Sequence, residues 1–381
     1  MSNNQTNVNI SFWELEQYFS KYDLIVIGSG IVGLFTALNY KMKNKAAKVL
    51  ILERGILPYG ASTKNAGFAC FGSLSELLDD LSTMDKDTVF ETVKMRWDGL
   101  NLLRKTLGDK VIDLKPWGGY EVFDDVNVFE RCMDAMEGMN KEMKDVIKKA
   151  NCYKKVNSKI NEFGFKKIKG MILNNYEAQI DSGKMMNALM KKVRESGVMI
   201  LNGINVISMS DNGTVSIETN AGEFTASKVV VATNGFAKSL LKIKDVNPAR
   251  AQVLITKPID GLKIKGTFHY QQGYYYFRNI NGRLLFGGGR NLDFKGETTD
   301  QFAVTKPIQD QLEKLLKEVI LPNTKFQIEH RWAGIMGVGK EKKPIIQAVS
   351  KNVIAAVRMG GMGVAIGSLV GKKAAQLANE K

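Results

Sequence analysis

The sequence predicts an α/β fold in which a parallel, Rossmann-like sheet is interleaved with an α+β region built on an antiparallel sheet. Three observations carry this prediction. Tyr22 to Ile27 is a short apolar strand, Ile31 to about Lys43 a helix, and Lys48 to Leu52 a second buried strand, which together make a β–α–β opening. Arg250 to Phe294 is rich in β-branched and aromatic residues, with turns at Asp260-Gly261 and Asn281-Gly282, and reads as antiparallel sheet. The C-terminal stretch then returns to strand, glycine loop and helix.

The intervening elements follow in order. Residues 1–21 form an N-terminal extension whose Phe12, Trp13, Leu15 and Phe19 recur at near-helical spacing and are expected to pack on the body. Leu74 to about Leu107 reads as helix, Trp117 to Phe123 as a strand, and Val126 to Ala150 as another helix. Asp181 to Glu195 is helical and Val198 to Asn202 a strand. Thr214 to Thr219 and Glu223 to Ala226 form a hairpin around Asn220-Ala221-Gly222, and Lys228 to Ala232 is of buried-strand type. Asp310 to Val319 is a helix. The expected division places residues 1–80, 170–240 and 326–381 in a cofactor-binding region and 81–169 with 241–325 in a substrate-binding region.

The chain has 381 residues, 44% hydrophobic and 24% charged, which excludes a disordered chain, a collagen and a disulfide-stapled mini-protein. Its longest strongly apolar stretch, Leu24 to Phe35, contains three glycines and falls well short of the roughly 20 residues of a membrane span. The N-terminus has neither a basic nor an apolar signal segment. Three cysteines (Cys70, Cys132, Cys152), with no Cys-x-x-Cys and no His close in sequence, suggest a reduced, metal-free cytoplasmic protein. The net charge is +15, but the lysines are scattered along the chain, so no nucleic-acid partner is expected.

The strongest local signal is Gly28-Ser29-Gly30-Ile31-Val32-Gly33, between a strand and a helix. Gly28 permits the tight turn, Gly30 lets backbone approach a pyrophosphate, and Gly33 lets the helix pack close to the strand. The helix N-terminus offers N–H groups to phosphate. Glu53, which closes the second strand, is placed to accept from ribose hydroxyls. Arg54 follows, and then the small-residue loop Gly60-Ala61-Ser62-Thr63-Lys64-Asn65-Ala66-Gly67, where a planar cofactor could lie without a clash. Val229-Val230-Val231-Ala232-Thr233-Asn234-Gly235 is a strand ending in small polar residues, and Gly360-Gly361-Met362-Gly363-Val364 is a glycine loop that opens a helix.

These segments, in this order, resemble the D-amino-acid oxidase and glycine oxidase superfamily of FAD-dependent oxidoreductases over Tyr22 to about Leu377. The resemblance implies a glutathione-reductase-type FAD domain beside a sheet-based substrate domain. It also implies FAD held by Gly28, Ser29, Gly30, Ile31, Val32, Gly33, Glu53, Arg54, Ala61, Ser62, Asn65, Ala66, Gly67, Val206, Thr233, Asn234, Gly235 and the loop Gly360, Gly361, Met362, Gly363, Val364; with no cysteine near Met336, where sarcosine oxidases attach flavin covalently, the FAD is expected to be non-covalent. Two departures bear on substrate. Met336, in Trp332-Ala333-Gly334-Ile335-Met336-Gly337, stands where amino-acid oxidases carry an arginine for the substrate carboxylate, and Met362 replaces a histidine. Both bring the chain closer to the branch that includes gamma-glutamylputrescine oxidoreductase, whose members act on amines.

On the substrate side, strand alternation puts Tyr274, Tyr276 and Arg278 on one face, where tyrosines could flank an amine and an arginine hold an acidic tail. Arg290 and Arg331 are alternative anion anchors, and Trp332 completes the reacting-site candidates. Cys70, His269 and His330 read as structural residues. The expected reaction is oxidation of a C–N bond of a small amine or amino acid, with electrons passing to oxygen or another acceptor. The rival readings are an FAD dehydrogenase of a 2-hydroxy acid or polyol phosphate, a non-catalytic flavoprotein, and an NAD-only dehydrogenase.

Overall fold

The computed structural model describes residues 10–380; the first nine residues of the expected extension lie outside them. Two eight-stranded sheets organise the chain. The first runs Ile345–Ala348, Val353–Val357, Gly222–Val231, Tyr22–Ile27, Val49–Glu53, Met199–Asn202. Its four central pairings are parallel; the edge pair Ile345–Ala348 with Val353–Val357 is antiparallel, as are the pairings of the branch strands Val206–Asp211 and Val215–Thr219. Burial on both faces explains why the central strands read as unbroken apolar runs.

One strand departs from the sequence reading. The second arm of the expected hairpin and the run Lys228 to Ala232 are a single ten-residue strand, Gly222–Val231. Its first half pairs antiparallel with Val215–Thr219, and its second half pairs parallel with Tyr22–Ile27. Pairing also extends the hairpin outward to Val206–Asp211.

The second sheet runs Ile328–Val338, Asn247–Thr256, Arg283–Gly288, Tyr275–Ile280, Thr267–Tyr270, Gly119–Phe123, Gly170–Asn174, Tyr153–Lys155. It is antiparallel except where Thr267–Tyr270 lies parallel to Gly119–Phe123. Asn281 and Gly282 take the positive φ (52° and 74°) that a tight hairpin turn requires. Gly170–Asn174 and Ile328–Val338, grouped by the sequence reading with the first region, hydrogen-bond within this second sheet.

The long helical stretch is two helices, Leu74–Thr83 and Lys86–Leu107, because Asp85 caps the second by accepting from Thr88 N–H. The helix expected at Asp310 to Val319 spans Lys306–Leu315 and continues as a π turn, Leu316–Ile320. The N-terminal helix Phe12–Tyr18 corrects a further expectation: Phe12, Trp13 and Leu15 are exposed, and of the four residues named only Phe19 packs, stacking on Phe224 at 4.7 Å. A reciprocal cap between Ser11 and Glu14 closes this helix on itself, and the chain reaches the sheet only at its end.

The main core lies between the parallel sheet and the helices Ile31–Lys43 and Gly363–Ala378. Close approach is built with glycine. A Cβ on Gly33 would sit 1.9 Å from the Gly28 carbonyl oxygen, and one on Gly371 would sit 2.6 Å from the Val32 carbonyl oxygen. In the second sheet, buried Arg250 donates through Nε and Nη2 to both oxygens of buried Glu297 (2.9 and 2.7 Å). Gln252 adds a bond to Glu297 and two to Thr305, so this network ties the segment 290–305 to the sheet.

Two outcomes follow from this packing. Gly33→Ala will drive a methyl into backbone that cannot yield, lowering stability by at least ~1–3 kcal/mol, which the thermal unfolding midpoint reads. Glu297→Ala will strand the Arg250 charge in the interior and cost about 3–5 kcal/mol in denaturant titration, whereas an exposed-pair control such as Lys306→Ala will change stability by less than about 1 kcal/mol.

Candidate active site

One cavity of about 670 Å³ lies where the two sheets meet, a volume in the roughly 300–1,000 Å³ range of small-molecule and cofactor sites. It begins at the C-terminal ends of the parallel strands, the usual place for a ligand in an open α/β sheet. Gly28, Gly30, Ile31 and Val32 line it, as do Glu53, Arg54 and Val206. Gly28 has φ +103°, a conformation that needs glycine. Glu53 Oε2 accepts from the Ser29 N–H (3.0 Å) and hydroxyl (2.7 Å), and Oε1 accepts from Gly55 N–H (2.9 Å). Ser29 thus fixes Glu53 and does not line the cavity. Gly33 and Gly235 also lie behind the wall, Gly33 against Gly28 and Gly235 against the Met336 backbone.

The loop 60–67 contributes Ala61, Ser62, Asn65, Ala66 and Gly67 to the lining. Ser62 Oγ accepts from Ile31 N–H (3.0 Å), so one helix N-terminal donor is already used. Asn65 organises the loop: its amide donates to the Ala61 and Ser62 carbonyls, and its Oδ1 accepts from Gly67 N–H and the Ser182 hydroxyl. Thr233 and Asn234 line the cavity as well. Thr233 Oγ1 is buried with no partner, while Asn234 Oδ1 accepts from Met359 N–H (3.1 Å) and ties the strand end to the C-terminal glycine loop. Gly360, Gly361, Met362, Gly363 and Val364 complete this wall.

A long, bent cofactor fits these residues on two observations. The orphaned Thr233 hydroxyl faces the cavity wall, and a Cβ on Gly30 would come within 2.9 Å of Ser62 Oγ, so the backbone there is bare.

At the other end the substrate candidates separate. Tyr276, Tyr274 and Arg290 line the cavity. Tyr276 extends from strand Tyr275–Ile280, and burial pushes its phenol up to about 12. Tyr274 precedes that strand, is 42% exposed and lies near Phe294, over whose ring Arg290 sits at 5.0 Å. Arg278 shares the Tyr276 face but is a correction to the anion-anchor expectation. Its guanidinium is buried and donates through Nη1 to the carbonyls of Ile180 (2.8 Å) and Gly67 (3.3 Å), outside the cavity lining. Burial pulls it down to about 10. Trp332 is a second correction: its indole donates to the Lys64 carbonyl (2.9 Å) and props the loop from behind. Arg331 is bound to Gln309 and Glu313, also outside the lining. Met336 does line the cavity.

Sequence reading missed the polar cluster at this end. Cys70, Glu76, Asp79, His269 and Lys342 line the cavity, with buried Glu121 and Glu177 behind them. Burial raises the Glu76 carboxyl, but Arg96 and Lys342 outweigh it and hold Glu76 below its ordinary value. Glu121 is raised by burial, although it accepts from Ser75. Burial depresses His269, and Cys70 and Glu177 more than reverse this, leaving it well above its usual range. These residues are scattered from 70 to 342 with no diagnostic spacing, so only the fold assembles them. His269 reads as structural in the sequence because amine oxidation by flavin needs little acid–base help once the amine is neutral, and that argument does not address which side of the strand meets the cavity.

Among known proteins, the chain is 22% identical over 374 residues to the probable oxidoreductase OrdL of Haemophilus influenzae, covering 93% of this chain and 82% of that one. The fold matches glycine oxidase from Geobacillus kaustophilus with a TM-score of 0.76 at 17% identity, covering 95% of both chains. It matches iminodiacetate oxidase from Chelativorans sp. BNC1 with a TM-score of 0.74 at 17% identity, covering 94% and 96%. The family of FAD dependent oxidoreductases designated DAO matches residues 23–377, nearly the whole chain. The chain therefore belongs to that family and is an FAD-dependent oxidoreductase.

Proposed function

We propose that the protein oxidises the C–N bond of a small amine, in preference to a simple α-amino acid, with FAD bound non-covalently. The observation that carries this reading is the set of side chains at the substrate end of the cavity. Glu76 and Asp79 line it with Lys342, which pairs with Glu76, and Glu121 and Glu177 back it, while Met336 presents a thioether and Arg278 is committed to backbone carbonyls. Such a site offers carboxylates to an amine and offers a substrate carboxylate no arginine on the Tyr276 face.

In this reading the parallel-sheet region holds the cofactor and the antiparallel sheet closes the substrate side. Glu53, held by Ser29, would accept from the ribose hydroxyls. The Gly28–Gly30 turn and Thr233 would hold the pyrophosphate, and the Gly360–Val364 loop would border the flavin. No cysteine adjoins Met336 in the sequence, and Cys70 lies in a cluster with His269 and Glu177, which supports non-covalent binding. When bound, FAD accepts the hydride from the substrate carbon. The chain orients that carbon with Tyr276 and with Phe68, which also lines the cavity 5.8 Å from the Tyr276 ring, excludes water, and takes the ammonium proton onto a carboxylate of the cluster so that the amine reacts neutral. The imine released hydrolyses to a carbonyl compound and ammonia or a smaller amine.

A second reading, oxidation of a 2-hydroxy acid or polyol phosphate, is favoured by one observation: His269 reaches the cavity, where that chemistry needs a base.

Purified protein will be yellow, and acid precipitation will leave its flavin in the supernatant. Under anaerobic conditions a primary or secondary amine will bleach it; bleaching by hydroxy acids alone would install the second reading. Glu76→Gln will raise KM for a cationic amine by about tenfold, as expected for loss of one charged contact, with a smaller change in kcat. An unchanged KM would remove Glu76 from substrate attraction.

A further inference from the structure

We propose that Cys70, Glu177 and His269 form a zinc site with one open coordination position facing the cavity. The three ligand atoms (Sγ, a carboxylate oxygen and an imidazole nitrogen) all lie within 4.8 Å of one another. Ligands at about 2.0–2.3 Å from a tetrahedral zinc are roughly 3.3–3.8 Å apart, so closure needs only a small contraction. His269 Nε2 is already 3.5 Å from Glu177 Oε2.

Four features separate this cluster from a chance meeting of polar side chains. All three residues are buried, yet among the described residues His269 Nε2 makes no hydrogen bond. A buried imidazole nitrogen that stands 3.5 Å from the Glu177 carboxylate without a hydrogen bond is under-satisfied, and a cation seated between the two would meet both. Each ligand sits on or beside a strand. Cys70 follows Phe68–Ala69, Glu177 precedes Ala178–Gln179, which pairs with it, and His269 lies within Thr267–Tyr270.

The carboxylate is also aimed from behind. Glu177 Oε1 accepts from the Phe71 and Gly72 N–H groups (3.1 and 3.2 Å), leaving Oε2 for a cation. Such outer-shell bonds hold metal-ligating carboxylates in orientation. Gly119 makes room for it, since a Cβ there would lie 2.0 Å from Glu177 Oε2. Finally, the charges match. A thiolate and a carboxylate neutralise a divalent ion, and neutral imidazole completes a mixed sulfur, nitrogen and oxygen set suited to zinc.

Cys70 and His269 both line the cavity, so the fourth position points into it. That is the arrangement of a site that keeps a water or takes a donor atom from a bound small molecule.

The test reads metal content, independent of turnover. Purified holoprotein is equilibrated with zinc, desalted and analysed by atomic emission, alongside Cys70→Ser, Glu177→Gln, His269→Gln and the exposed control His330→Gln. The wild type and His330→Gln are expected to retain about one zinc per chain, and each ligand variant at least about tenfold less under the same wash. Glu177→Gln keeps the oxygen that accepts from Phe71 and Gly72, so circular dichroism and cooperative melting will report a folded chain. Zinc will raise the melting midpoint of the wild type and leave that of Glu177→Gln unmoved. A wild type that retains no zinc, or ligand variants that retain as much as the wild type, overturns the proposal.

Discussion

Gly33 has no Cβ, and the carbonyl oxygen of Gly28 occupies the place where one would be. That close approach lets the first turn of the helix Ile31–Lys43 sit against the turn that follows the strand Tyr22–Ile27 and against Val26 within it. Much else is stacked on it. The C-terminal helix Gly363–Ala378 packs on Ile31–Lys43 with Gly367 and Gly371 turned inward, and Lys86–Leu107 packs on the C-terminal helix through Gly99, whose Cβ would meet the Ala365 carbonyl oxygen at 2.3 Å. Small residues at successive interfaces bring three helices and a sheet within backbone reach. The same contact sets where the first helix begins, and so where Gly28, Gly30 and Ser62 border the cavity.

The cofactor end of the site was legible because its chemistry depends on backbone. A turn that needs positive φ, a close helix–strand approach and an acid at the strand end leave glycines and a glutamate at fixed spacing, and these survive in a linear reading. The parallel sheet was legible for a related reason, since strands buried on both faces are continuous apolar runs. Segment 151–180 was not readable: Tyr153–Lys155 and Gly170–Asn174 are short strands completed by partners elsewhere in the chain. The single strand Gly222–Val231 read as two pieces because its partner changes halfway along.

The substrate end was far less legible. Strand parity placed Tyr276 and Arg278 on one face, as found, but parity does not say what that face meets. Tyr276 meets the cavity, whereas Arg278, two residues on, meets the carbonyls of Gly67 and Ile180. Trp332 similarly supports the cofactor loop from outside. The charged cluster around Glu76, Glu177 and His269 joins residues from helices, short strands and both halves of the chain, so its members carry no common period. Function at this end is a property of tertiary proximity.

The strand order of the parallel sheet has a consequence for how the protein comes into being. Its centre places Gly222–Val231 between Tyr22–Ile27 and Val353–Val357, and Ile31–Lys43 waits for Gly363–Ala378 to cover it. A ribosome must therefore reach Val231 before the earliest strand, already paired with Val49–Glu53, acquires its second neighbour, and must reach Val357 before Gly222–Val231 acquires its own. During synthesis the N-terminal β–α–β unit carries an uncovered apolar face, and pairing of such distant segments is intrinsically slow. Nascent chains of this protein are exposed to aggregation for most of their elongation, and truncation before the last helix removes the lid from a core whose other half is already built.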